Sequence, residues 1–234
     1  MSNGITIAQI KEAFPEDKTD AYWTQFVLRP LSFPLAWVFI QVGLPANYVT
    51  YLSILSVIVG AGLFIGGAYE LAIIGAIAFN IFALLDCADG NIARVLGGSQ
   101  YGEWVDALGG YIAYALVFLS VSIYVQQQYE EILLVGPEEI GIVGAIAVIA
   151  NLLMRVQHQK FKSAEDTDNE EQDGISIQKR ISQNVGITGF LMPLVLLATI
   201  IGYLDLVLLV YTLFYTVAWF GFTTHQIYQV EQSA

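Results

Sequence analysis

Asp86, Asp89 and Asp106 are the residues whose type and spacing point to chemistry in this chain. The first two stand three apart at the end of a long apolar run, and the third comes early in the next. On a helix, positions three apart share a face, so Asp86 and Asp89 point together. Carboxylates in or near hydrocarbon are costly, and a group of them marks a functional site. Three hard oxygen donors suit Mg2+ or Mn2+ and nothing softer. Gly90, Ala93, Gly102, Gly109 and Gly110 remove side chains around the aspartates. That allows close helix packing, or the approach of a ligand to the backbone. Arg94, one turn past Gly90, can set a guanidinium beside phosphate oxygens.

The elements that must position these residues read as membrane helices. Of 234 residues, 56% are hydrophobic and 13% charged, the composition of a polytopic membrane protein. A net charge of −12 argues against a nucleic-acid partner, which needs a basic face. The lone Cys87 excludes an internal disulfide and reads as a small packing residue. No basic region followed by an apolar core opens the chain, so no cleavable signal peptide is expected. Ile7, Ile10 and Phe14 at helical spacing predict a short amphipathic helix within residues 1–20. Residues 31–44 are apolar but too short to cross a bilayer unaided. They predict an interfacial helix with Trp37 as anchor and Arg29 as snorkelling cation, the alternative being half of a kinked span.

From Asn47 onward six spans are expected, at 47–67, 70–92, 101–126, 139–161, 184–203 and 205–228. With a cytoplasmic N-terminus, all nine Lys and Arg residues fall on the cytoplasmic side or its edge. The connections assigned outside carry Glu70, Glu130, Glu131, Glu138, Glu139 and Asp205 and no cation, which meets the positive-inside rule. Residues 163–174 predict an acidic, mobile cytoplasmic loop. The expected fold is all-α: a six-transmembrane-helix bundle with an N-terminal juxtamembrane amphipathic helix. Residues 1–46 would form the cytoplasmic and interfacial part, 47–228 the membrane domain and 229–234 a tail, with both termini and the aspartates facing the cytoplasm.

The pattern DxxDGxxAR, then GxxxD, resembles the signature of the CDP-alcohol phosphotransferases, integral membrane enzymes of phospholipid synthesis. It runs through Asp86, Asp89, Gly90, Ala93 and Arg94, a seven-residue gap, then Gly102 and Asp106. The segment through Asn47 and Thr50 is similar to that family's lead-in to its first span, with Ala46 where proline is usual. The resemblance implies transfer of a phospho-alcohol group from a CDP-linked donor to an acceptor, with release of CMP. It implies that Asn47, Thr50, Gly90, Ala93, Arg94 and Gly102 line the cytidine pocket. It also implies that Asp86, Asp89 and Asp106 hold two divalent ions, Mg2+ or Mn2+, bridging the diphosphate. The expected partners are a CDP-linked lipid or CDP-alcohol, membrane lipid and a second copy of the chain.

The family pattern ends in a further aspartate, and this chain has Gly110 there. The family's residue at that position is regarded as the base for the attacking hydroxyl and as a metal ligand, so the second ion would be held more weakly. Three readings follow: an already ionised acceptor such as a phosphate, or water; partial substitution by Glu103; or a catalytically silent CDP-lipid-binding relative. Arg155 and Arg180 read either as positive-inside anchors or as the acceptor's phosphate pocket. His158 and His225 have no ligand partners at metal spacing. A transporter is disfavoured, because the carboxylates sit at one interface and no internal repeat exists.

Overall fold

The structure, a computed structural model, describes residues 4–15, 20–130, 132, 134–164, 184 and 186–233. Arg180 and the acidic stretch 165–174 lie outside the described residues. The helices are α1 (Ile7–Glu12), α2 (Arg29–Gln41), α3 (Ala46–Ile65), α4 (Tyr69–Leu96), α5 (Gly102–Gln128), α6 (Ile140–Ala164), α7 (Met192–Ile201) and α8 (Leu204–Ser233). Single π-helical turns at Thr24–Leu28 and Ile187–Leu191 lead into α2 and α7. No strand occurs among the described residues. Apolar runs with few charges leave the backbone no partner in lipid but itself, and the helix satisfies it within one segment.

Five of these helices are long and apolar enough to cross a membrane, namely α3, α4, α5, α6 and α8. The fifth expected span is the exception. Ile187–Ile201 is one of the shorter apolar helices and, at ~1.5 Å per residue, only ~22 Å long. Its sequence explains the shortfall. Gly189 has non-helical backbone (φ −81°, ψ −130°), and Gly202 ends the helix in the left-handed region at φ 80°. Within the described residues the expected span 184–203 is thus broken at Gly189 and ends at Ile201.

The short N-terminal helix lies within the expected stretch. Only Ile7–Glu12 is helical in α1, started by a capping box in which Thr6 and Gln9 satisfy each other's backbone. The α2 helix packs on α4, and its Phe33, Ala36 and Ile40 join a buried cluster with Val49, Leu85, Ala88 and Ile92. Its other face leaves Leu31, Trp37, Val38 and Val42 exposed. That division gives α2 an apolar outer face for lipid to cover.

The α3 and α4 helices cross in close contact. A Cβ on Gly75 would lie 2.7 Å from the Gly60 carbonyl oxygen and 2.9 Å from the Phe64 ring. Next to this crossing Phe64 stacks on Phe79 with centroids 5.3 Å apart, and Tyr124 of α5 meets Phe64 edge-on. Gly75→Ala should therefore push the two helices apart, costing about 1–3 kcal/mol. A thermal melt of purified protein in detergent should show a lower Tm, and an unchanged Tm would mean the crossing yields freely.

Candidate functional site

The length of α4 sets the depth of the site. From Tyr69, Asp86 lies ~26 Å along the helix and Asp89 ~30 Å, about the thickness of the hydrocarbon core. Asp106 is about one turn into α5, which starts at Gly102 on the same end of the bundle. Between them Gly97, at φ 87°, stops α4 in a conformation that L-residues rarely adopt. The chain then turns back through Ser99. All three aspartates line one cavity of about 410 Å3.

Each wall of that cavity has a local cause. Asp89 is buried, and its Oδ2 accepts a 2.7 Å hydrogen bond from the Thr50 hydroxyl of α3. Asn47, in the first turn of α3, donates through Nδ2 to Ser99 Oγ at 2.9 Å and so ties α3 to the α4–α5 loop. Gly102 packs under this pair, where a Cβ would stand 3.4 Å from Ser99 Oγ. A Cβ at Gly90 would stand 3.4 Å from the Arg94 guanidinium, so glycine there lets Arg94 fold back along α4. Arg94 then donates to Asn91 Oδ1 at 3.0 Å. Asn47, Thr50, Gly90, Ala93, Arg94, Gly102 and Glu103 all line the cavity.

Arg155 is placed elsewhere. Its Nε donates to Asn151 Oδ1 at 3.1 Å, its guanidinium lies 4.0 Å from the centroid of the Tyr114 ring, and it is not among the cavity-lining residues. Tyr114 in turn accepts a hydrogen bond from the backbone N–H of Ile187, at the start of the π turn before α7. Arg180 lies outside the described residues. Gly110 stands one turn deeper in α5 than Asp106, and a Cβ there would meet nothing within 4 Å.

Sequence reasoning missed Asp20, Thr24, Arg29, Gly98, Ser99 and Thr188 among the cavity residues. Arg29, expected to snorkel to the interface, is buried instead. It pairs with Asp20 at 2.7 Å and donates to Asn91 Oδ1 at 3.2 Å. A polar residue at position 91, on a helix face otherwise bound for the core, was the one signal of an inward cation.

Among the described residues no group of three or more acidic, His or Cys side chains is placed to hold one ion. The donor chemistry still fits a hard divalent cation. Three carboxylates face one cavity, and Asp86 accepts no hydrogen bond from a described side chain. The chain matches the family model described as CDP-alcohol phosphatidyltransferase over residues 44–219. A comparison with curated proteins gave no match.

Proposed function

The chain belongs to the CDP-alcohol phosphatidyltransferase family, and from that premise we propose that it transfers a phospho-alcohol group from a CDP-linked donor to an acceptor, releasing CMP at the cytoplasmic face. Membership carries the coarse assignment: an integral, multi-pass membrane protein of phospho-alcohol transfer in lipid synthesis. One observation supports the finer reading. The residues of both resemblances, Asn47 and Thr50 on α3 and the aspartates with Gly90, Arg94 and Gly102 on α4 and α5, line a single cavity.

In this reading Asn47, Thr50, Gly90, Ala93 and Gly102 shape the nucleotide's side of the cavity. Glycines and alanine leave room for the base and ribose to lie against backbone. Arg94 faces the diphosphate, where a planar guanidinium can hold two oxygens at once. Asp86, Asp89 and Asp106 would hold one or two divalent ions, which supply charge neutralisation for the diphosphate as its bond breaks. Thr50 orients the Asp89 carboxylate by donating to its Oδ2. A substrate with both a lipid and a nucleotide fits a cavity at the edge of the hydrocarbon.

Gly110 favours a second reading, in which the acceptor is a phosphate or water, or turnover is lost. The deciding experiment measures CMP release from a panel of CDP-alcohols with lipid hydroxyl, lipid phosphate and no added acceptor, each with Mg2+, Mn2+ or EDTA. Metal-dependent CMP release with one acceptor supports transfer. CMP release from none of them, with CDP-alcohol still bound, supports the silent relative. Undiminished binding in EDTA would remove the metal-site reading.

Orientation has its own test. Cys87 is buried, so the native chain gives little background in thiol labelling. A cysteine placed within 163–174 should react with an impermeant reagent only in opened or inverted membranes, and one beside Glu138 should react in intact cells. The reverse pattern would overturn the cytoplasmic placement of the site.

A further inference from the structure

We propose that Arg29 is a phosphate-binding residue of this cavity and that Asp20 covers its anion-binding edge until a diphosphate displaces it. The proposal rests on the CDP-linked substrate argued above and adds residues from outside the motif. Arg29 is the first residue of α2, remote in sequence from α4, yet it lines the cavity and is buried. Its Nε and Nη2 both engage Asp20 Oδ2, at 2.9 and 2.7 Å. Its Nη1 donates to Asn91 Oδ1 at 3.2 Å.

Arg94 donates to that same Asn91 oxygen at 3.0 Å. Both guanidiniums also lie over the ring of Phe14, at 4.3 and 5.1 Å from its centroid. Asn91 is itself held, donating through Nδ2 to Ser32 Oγ at 2.9 Å. Two cations are thus fixed side by side on one amide oxygen and one aromatic face. Like charges held this close repel, and an anion between them relieves the repulsion. The Nε–Nη2 edge of a guanidinium is the fork that binds a carboxylate or phosphate, and here a carboxylate occupies it.

Asp20 is delivered to that edge by a segment clipped down on its far side. The Tyr22 N–H donates to Asn184 Oδ1 at 2.8 Å, and the Thr24 hydroxyl donates to the Thr188 carbonyl. Asp20, Thr24 and Thr188 all line the cavity. A phosphate entering beside Arg94 meets a second guanidinium whose edge is occupied by a weaker, singly charged ligand.

The test is calorimetric binding of CDP, CMP and cytidine to the purified full-length chain with Mg2+. Asp20→Asn removes the competing charge and should tighten CDP by about three- to tenfold. Arg29→Gln should weaken CDP about ten- to a hundredfold while leaving cytidine, which has no phosphate, unchanged. If Asp20 merely fastens the N-terminal segment, Asp20→Asn lowers the Tm and leaves CDP affinity equal or weaker, and the proposal fails. Should Asp20→Asn not fold, Arg29→Lys decides: a loss confined to the phosphorylated ligands supports the proposal, and an equal loss for cytidine overturns it. A native chain that binds no cytidine nucleotide would instead overturn the functional reading on which the proposal stands.

Discussion

Asp89→Asn is expected to lower CMP release by about 10³-fold or more, because several kcal/mol of charge stabilisation leave with one carboxylate. The substitution is nearly isosteric. The asparagine carbonyl can still accept the Thr50 hydroxyl, which stands 2.7 Å from Asp89 Oδ2. The fold should survive, so the Tm should change little while turnover and metal-dependent binding of CDP-alcohol are lost. That split separates a ligand role from a structural one. A buried carboxylate serving only to cap Thr50 would lose stability first and affinity second. Turnover within tenfold of the native rate, in protein of native Tm, would exclude Asp89 from the chemistry.

Gly110→Asp is expected to change activity by about 10²–10⁴-fold, the range of base catalysis, with a sign that depends on the acceptor. Positions 106 and 110 are four apart on α5, so a side chain at 110 projects toward the same site as Asp106. A Cβ there meets nothing within 4 Å, so the carboxylate can enter without disturbing α5. If the native chain is an impaired hydroxyl transferase, the added base should raise CMP release with alcohol acceptors. If its acceptor is an ionised phosphate, the added charge should repel it and lower activity. Native protein that already turns over a plain alcohol at ordinary rates would sink both accounts and require another base.

The long helices were legible because each is a run of apolar residues between glycines, prolines or polar breaks, and lipid allows such a run little except a helix. The gathering of Asn47, Thr50 and the aspartates at one end was legible too, since alternate crossings bring the start of α3, the end of α4 and the start of α5 together. What escaped is tertiary. Arg29 precedes an apolar stretch, as a snorkelling cation would, and only Asp20 and Asn91 turn it inward. Arg155 ends a span, and the Tyr114 ring under its guanidinium is a contact that no spacing announces. The hydropathy of residues 184–203 hides the break at Gly189, because a kink costs no apolar character.

The abbreviated helix ending at Ile201 has a consequence for the surrounding bilayer. Its outward residues Leu194, Leu197, Ile200 and Ile201 are exposed and face lipid. The described part of this helix, Ile187–Ile201, has ~22 Å of apolar length, against a hydrocarbon thickness of ~30 Å. Acyl chains beside a wall shorter than the hydrocarbon core shorten or tilt, and each ångström of hydrophobic mismatch costs a fraction of a kcal/mol. A helix of that reach is accommodated by thin bilayers at lower energy than by thick, sterol-stiffened ones.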